Sequence, residues 1–370
     1  MSTALSGPAS GLGQQMQAGI LAAFEACNRT GGIGGRMLEL TALDDGYEPG
    51  RTAPNMRTLC GREDMLGVIG NVGTPTAVAA IPVAMATRTP FFGAFTGAGV
   101  LRRIPPDRYV INYRASYAEE TGAMVDALIG QAGLVTADIA FFTQRDAYGD
   151  SGYTGGIAAL KRHGLVDPHT IGHGRYERNS VAVENAMADI LATTPHPKAI
   201  IMVGAYKPCA AFILLARKLG LTSLFLNVSF VGADPLRTAL GEAGNGVLIT
   251  QVVPHFADAL PVVQAYREAL VAHDAALQPS FGSLEGYVSA TVLLTALRRI
   301  SGEITRETIV DALEGLGEFD IGLGAPLRLS AEEHQASHTV WPTVIRDEVI
   351  VPISWEELVS IMAGGQEPAE

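Results

Sequence analysis

Short apolar runs alternate with longer amphipathic ones along most of this chain, and that rhythm restricts the fold more than any other feature. Apolar runs of about 5–7 residues read as strands, and stretches with apolar residues every three or four positions read as helices. Met16, Ile20, Leu21, Phe24 and Cys27 fall at helical spacing, and Gly31-Gly32-Ile33-Gly34-Gly35 ends that helix. Strands are expected at 37–43, 65–70, 90–94, 109–113, 139–143, 171–176, 199–204, 224–228 and 246–253. Helices are expected at 53–61, 77–87, 119–129, 152–163, 181–192 and 208–219, with a short one after Asp234. Strand and helix taking turns is the mark of parallel sheets with crossover helices, an α/β chain. From 261 to 315 the rhythm changes to helices, at 262–272, 283–300 and 306–313. The tail segments 327–329, 340–345 and 349–353 read as strands again, with a meander at Arg346-Asp347-Glu348. That is more strands than one sheet usually holds.

Of 370 residues, 48% are apolar and 17% charged, so the chain has ample material for buried cores. Lys and Arg number 26 against 38 Asp and Glu, a net charge of −12, and an acidic chain without a basic run repels phosphate backbones. Nucleic acid is therefore excluded as an expected partner. Cys27, Cys60 and Cys209 are too few and too scattered for a disulfide framework or a CxxC metal site, and each lies in an apolar segment where cysteine acts as a small hydrophobe. The longest apolar stretches, 77–86 and 288–297, are about half the ~20 residues that a membrane span needs. No direct membrane insertion is expected. MSTALSGPAS carries no basic or apolar leader pattern, which leaves open a cytoplasmic protein or one whose export segment has been removed.

In open parallel sheets, ligands sit beyond the carboxyl ends of strands, where loops lead into helix N-termini. After the strand ending at Gly70 comes Asn71-Val72-Gly73-Thr74-Pro75-Thr76, in which Gly73 permits a tight turn, Thr74 suits an N-cap and Pro75 a first helical position. Such a helix start offers free N–H groups and hydroxyls to an anion. The next exit, Gly93-Ala94-Phe95-Thr96-Gly97, places a hydroxyl beside an aromatic. Arg145-Asp146-Ala147-Tyr148-Gly149 and Ala205-Tyr206-Lys207-Pro208 each put a tyrosine at a strand exit, an apolar wall with a hydroxyl tip. Any one of these is ordinary loop packing; recurrence at successive strand ends points to a ligand.

Three motifs point elsewhere and fail on context. Gly149-Asp150-Ser151-Gly152 spells the tetrapeptide around a trypsin-like nucleophile, but here it opens a helix, where Asp150 or Ser151 suits an N-cap. His334 and His338 are four apart, yet Gln335 stands where HExxH has Glu, and the segment leads into a strand, so no metal site is expected. The glycines at 31–35 follow a helix rather than a strand, the wrong setting for a dinucleotide fingerprint. No catalytic residue and no cofactor are expected.

Leu5-Ser6-Gly7-Pro8-Ala9, Gly31 to Arg36, Asp44-Asp45, Gly73-Thr74-Pro75-Thr76, Asp146-Ala147-Tyr148-Gly149 and Ala211 to Gly220 together resemble another set of proteins. These are the type I periplasmic substrate-binding proteins of branched-chain amino-acid (Leu/Ile/Val) ABC transporters, and the likeness runs nearly end to end. It implies two Rossmann-like lobes joined by three crossover strands, with a ligand clamped between them by a hinge motion. Lobe one would take 1–117 and 254–328, and lobe two 118–253 and 329–370. The resemblance also implies ligand contacts. Thr74 and Thr96 would hold the ligand carboxylate, the carbonyl of Ala94 and the Thr96 hydroxyl would receive the α-ammonium, and Tyr148 and Tyr206 would close from lobe two. Phe95 and Phe230, where they face the ligand, would favour a bulky apolar or aromatic tail.

Two departures follow. Where those proteins carry an acid that pairs with the ammonium, this chain has Ser229, within Asn227-Val228-Ser229-Phe230. A serine brings no charge, so the ammonium is held more weakly, held by another residue, or absent from the ligand. At the start, only Met1 to Ala4 precede the Leu-Ser-Gly-Pro run, so the first strand is expected to be short or missing. The resemblance implies a monomeric periplasmic receptor, not an enzyme, that delivers a small carboxylate-bearing ligand to an ABC transporter permease. A receptor for aromatic or aliphatic carboxylates lacking the amino group, and a cytoplasmic amide or amino-acid sensor of the same fold, remain as alternatives.

Overall fold

A computed structural model describes residues 1–364. The chain divides into two compact units, Met1–Ala115 with Val252–Thr339 and Ser116–Gln251 with the chain from Val340 on, so it passes between them three times. These changeovers differ from the sequence-based ranges for local reasons. Ser116 caps the helix Tyr117–Gly130 through a capping box with Glu119, which ties 116 and 117 to the second unit. The Tyr113 hydroxyl donates to the Val252 carbonyl at 2.9 Å, which ties 252 to the first. The segment expected to return at 329 stays with the first unit as far as Thr339: Leu327–Leu329 pairs with Gly317–Phe319, and Ala336 N–H donates to Asn112 O at 2.9 Å.

The first unit contains three short sheets. Ser2–Thr3 pairs in parallel with Leu43–Asp44. Val68–Ile69, Phe91–Phe92 and Val110–Ile111 form a parallel sheet of buried apolar residues. The third is the antiparallel pair at 317–329. The expected strand at 37–43 is realised only at its end: residues 37–42 have no strand pairing, and Met37 is 64% exposed. Helices Ser10–Arg29, Pro49–Cys60, Thr74–Ala86, Pro261–His273, Phe281–Leu297 and Arg306–Glu314 cover the unit. The pair Ser10–Arg29 and Phe281–Leu297 packs at glycine contacts, since a Cβ on Gly19 would lie 1.8 Å from the Ser283 carbonyl oxygen.

The second unit is built on one seven-stranded sheet, in the order Val349–Pro352, Trp341–Arg346, Leu248–Gln251, Leu224–Asn227, Ala199–Val203, Ile139–Gln144, His173–Tyr176. The last five are parallel, and Trp341–Arg346 joins them antiparallel. Ile139–Gln144 and Ala199–Val203 are buried throughout, as strands covered on both faces must be. The expected meander at 346–348 is a hairpin whose turn residues Asp347 and Glu348 take φ of 48° and 59°, the mirror-image turn that matches strand twist.

Candidate functional site

In the first unit, the sequence-chosen residues lie at two adjacent strand exits. Gly73, not Thr74, is the N-cap of the helix Thr74–Ala86, with φ of 104° and a Cβ position only 2.1 Å from the Tyr47 ring. Only glycine fits there. Thr74 is therefore the first helical residue, and its hydroxyl is released from capping. It meets the Thr96 hydroxyl at 2.7 Å, both side chains being buried. Each hydroxyl carries one proton, and their mutual bond uses one of the two, so the pair keeps one O–H to donate. The Thr96 amide, expected to serve a carboxylate, instead donates to the Ala94 carbonyl at 2.8 Å inside the turn. Phe95 is fixed through its backbone, its N–H on Asn71 O at 2.8 Å and its carbonyl receiving Gly73 N–H at 3.1 Å. Its ring lies under the Arg114 guanidinium, 5.0 Å from centroid to Cζ. Arg114 is 1% exposed, with Nη1 3.4 Å from Glu285 Oε1. Sequence reading passed over this arginine, although it follows directly on the apolar run 109–113.

In the second unit, Asp146 caps the helix Ala147–Arg162, its carboxylate accepting from the Tyr148 amide at 3.0 Å. Tyr148 is fully buried; its ring lies 4.5 Å from Phe230 and 5.2 Å from Tyr117, and Tyr117 meets Phe230 edge-on at 6.5 Å. Its hydroxyl donates to the Gly204 carbonyl at 3.2 Å. The Tyr176 hydroxyl receives the Ala205 amide at 2.9 Å, so two tyrosines anchor the turn that leads into Tyr206, the first residue of the helix Tyr206–Lys218. Because the Tyr148 ring is part of a packed core, replacement by alanine removes structure as well as surface. Tyr148→Phe is the informative variant. It is expected to cost about 0.5–1.5 kcal/mol through the Gly204 hydrogen bond and to keep the aromatic packing, as read by urea unfolding.

Ser229 and Phe230 lie in the single 3₁₀ turn Ser229–Val231 after Leu224–Asn227. The serine faces an acid from another element. Glu120, fully buried, accepts the Ser229 amide at 2.7 Å, the Ser229 hydroxyl at 2.9 Å and the Thr250 hydroxyl at 2.6 Å. A carboxylate held by three donors is fixed in place. The carboxylate that the sequence lacks at 229 thus lies within hydrogen-bond distance of 229, contributed by the helix Tyr117–Gly130. The signal was present: Tyr117, Thr121, Met124, Val125 and Leu128 make the buried stripe of that helix, and Glu120 falls on it.

The remaining motifs resolve into structure. Asp146, rather than Asp150 or Ser151, caps the helix at Gly149–Gly152, and Asp150 pairs with Arg175. His334 bonds Val110 O and Glu314, and His338 bonds Glu333. Among the described residues no group of three His, Cys, Asp or Glu is placed to hold a metal ion. All three cysteines are buried and unpaired with one another, and burial pushes the Cys209 thiol well above its ordinary range, away from the reactive thiolate. No helix among the described residues is long and apolar enough to cross a membrane.

Residues 1–348 match the family described as periplasmic binding protein. Among solved structures, a possible leucine/isoleucine/valine-binding protein from Rhodopirellula baltica SH 1 is 54% identical and superposes with a TM-score of 0.94 over 97% of this chain and 96% of its own. A substrate-binding periplasmic protein from Ralstonia solanacearum is 29% identical, with a TM-score of 0.86 over 95% of this chain and 98% of its own. The Leu/Ile/Val-binding protein homolog 7 of Brucella abortus is 26% identical over 319 residues, 80% of this chain and 75% of that protein. With a parallel-sheet unit met by both halves of the chain, three changeovers, and strand exits that carry the motif residues, the chain belongs to the periplasmic binding protein family, in the type I class that includes leucine/isoleucine/valine-binding proteins.

Proposed function

We propose that this protein is a periplasmic solute receptor of an ABC importer that binds an apolar α-amino acid without turnover and presents it to a membrane permease. The observation that carries the choice of ligand is the Glu120 carboxylate held on Ser229 and Thr250. An α-amino acid brings an ammonium that needs a negative partner, and a buried charge left without one costs several kcal/mol. Ser229 alone would have favoured a ligand lacking the amino group; Glu120 restores the charge. In this reading Thr74 and Thr96 receive the ligand carboxylate, with Ala94 and Phe95 shaping that end. The rings of Tyr148, Phe230 and Tyr206 receive the apolar tail. The 54% identical relative, described as a possible leucine/isoleucine/valine-binding protein, supports the same class of ligand.

The test is a thermal-shift screen of ligand-stripped protein against α-amino acids and against the same acids lacking the amino group. A ligand at 100 times its dissociation constant adds about 2.7 kcal/mol and raises the melting temperature by several degrees. Stabilisation confined to leucine, isoleucine, valine or related amino acids is the expected result. Stabilisation by 4-methylpentanoate or an aromatic acid but not by the amino acids overturns the proposal.

A further inference from the structure

Thr96-Gly97-Ala98-Gly99 follows the strand Phe91–Phe92 and carries, after the threonine, no side chain larger than a methyl. A turn with so little of its own to pack must be held from elsewhere in the chain. Here the hold comes from Arg102, half-buried just beyond the single 3₁₀ turn Gly99–Leu101. Its Nη1 donates to the Ala98 carbonyl at 3.0 Å and to the Thr96 carbonyl at 3.3 Å. Nη2 donates to the Arg114 carbonyl at 2.9 Å, and Nε donates to Gln335 Oε1. Arg114 lies just before Ala115, where the chain first leaves this unit, and Gln335 shortly before Thr339, where it leaves for the second time. Gln335 is buried, and its Nε2 passes the contact on, donating to the Ser337 carbonyl at 3.1 Å and meeting His338 Nδ1 at 2.9 Å. One planar side chain thus joins the Thr96 turn to both segments by which the chain leaves the first unit.

We propose that Arg102 is a positioning residue of the ligand site, which holds the Thr96 turn in its binding geometry and couples it to 335–338; this rests on the assignment of Thr96 to the ligand carboxylate. The carbonyls of residues 96 and 98 are both held by one nitrogen, so the backbone from which the Thr96 side chain projects is set by the guanidinium. The Ala98 amide donates back to Thr96 Oγ at 3.3 Å, and the same oxygen meets the Thr74 hydroxyl at 2.7 Å. Loss of Arg102 frees the turn, and Thr96 with it. The strands Val68–Ile69 and Phe91–Phe92 remain paired by their own backbone. Arginine suits the task because it presents five N–H donors in a rigid plane. Lysine has three on one atom and cannot span the carbonyls of 96, 98 and 114 together with Gln335. The coupling is reciprocal: order that a ligand imposes on Thr96 reaches 335–338 through the same bonds.

The experiment compares the wild type with Arg102→Met, Arg102→Lys and Gln335→Met, by amide hydrogen exchange without ligand and by calorimetry with leucine. Methionine keeps an unbranched apolar stem and removes the donors. Arg102→Met is expected to speed exchange at the Ala98 amide about tenfold or more. Val68, whose N–H donates to Pro90 O at 2.7 Å in the same unit, is expected to stay within about threefold. Leucine affinity is expected to fall about tenfold in Arg102→Met and about threefold in Arg102→Lys, which restores part of the donor set. Gln335→Met keeps the three carbonyl bonds and breaks the link, so it is expected to bind leucine within about threefold of wild type. It is also expected to lose the slowing of exchange at 336–338 that leucine produces in the wild type. Equal acceleration at Ala98 and Val68 makes Arg102 an ordinary stabilising residue and overturns the proposal. Unchanged exchange at Ala98, wild-type leucine affinity in Arg102→Met, or leucine-induced slowing that persists in Gln335→Met overturns it as well. Should Arg102→Met not fold, Arg102→Lys, which keeps the charge, carries the same comparison of Ala98 with Val68. A wild type that binds no amino acid overturns the receptor reading instead, and the ligand-free exchange still decides whether Arg102 holds the turn.

Discussion

Glu120→Gln is expected to weaken binding of leucine or valine about 30- to 100-fold while leaving 4-methylpentanoate binding within about threefold of its starting value. Glutamine has the shape of glutamate, so the variant isolates the charge. Its carbonyl oxygen can take the place of Oε2 and still accept the Ser229 amide and the Thr250 hydroxyl, which reach Glu120 at 2.7 and 2.6 Å. Its amide then faces the Ser229 hydroxyl, which lies 2.9 Å from Glu120 Oε1 and can turn its proton away to become an acceptor. The fold is thereby expected to survive, at a cost of about 1–3 kcal/mol for the exchanged hydrogen bonds. Calorimetry on the two ligands separates the roles. Loss confined to the amino acid places the ammonium at Glu120. Equal loss for both ligands makes Glu120 a structural clamp on the 229–230 turn, and the choice of amino acids over des-amino acids then loses its support.

The features legible in the sequence were those set by local pattern. The βα rhythm placed the parallel strands of the second unit, because each is an apolar run bounded by turn residues and buried on both faces, as at Ala199–Val203. The turn at Asp347 and Glu348 was legible for the same reason. What depends on a distant partner was not. Residues 37–43 have strand composition, yet a strand exists only where another lies beside it, so only Leu43–Asp44 is formed. Residues 330–339 carry no sign of the unit they join, since that is decided by contacts with Asn112 and its neighbours. At the strand exits, residue type was readable but donor use was not: the Thr96 amide is spent on Ala94, and the Tyr148 hydroxyl on Gly204. Glu120 is the instructive miss. A carboxylate on the buried stripe of a helix marks a polar group that needs partners, whichever strand later supplies them.

Ser229→Glu provides the complementary test, and the structure reverses the sign that sequence alone assigns to it. Read without the fold, the substitution returns a missing acid and improves amino-acid binding. In the fold, the Ser229 hydroxyl donates to Glu120 Oε1 at 2.9 Å, so a glutamate there brings two buried carboxylates together and removes a donor. Like charges at that distance cannot both ionise, and one of them takes up a proton. The raised folded-state pKa means that S229E binds more protons folded than unfolded above the ordinary glutamate range. Its stability therefore falls as pH rises through that window, by several kcal/mol on reaching neutrality and above. Urea unfolding at pH 5 and pH 8 is expected to show the wild type at least as stable at the higher pH and S229E markedly weaker there. Leucine binding by S229E is expected to drop rather than improve, because a carboxylate pair sharing one proton carries no more charge than Glu120 alone and no longer has the serine to orient it. A variant that binds leucine more tightly, with no loss of stability between the two pH values, would place Ser229 and Glu120 apart and return the ammonium to position 229.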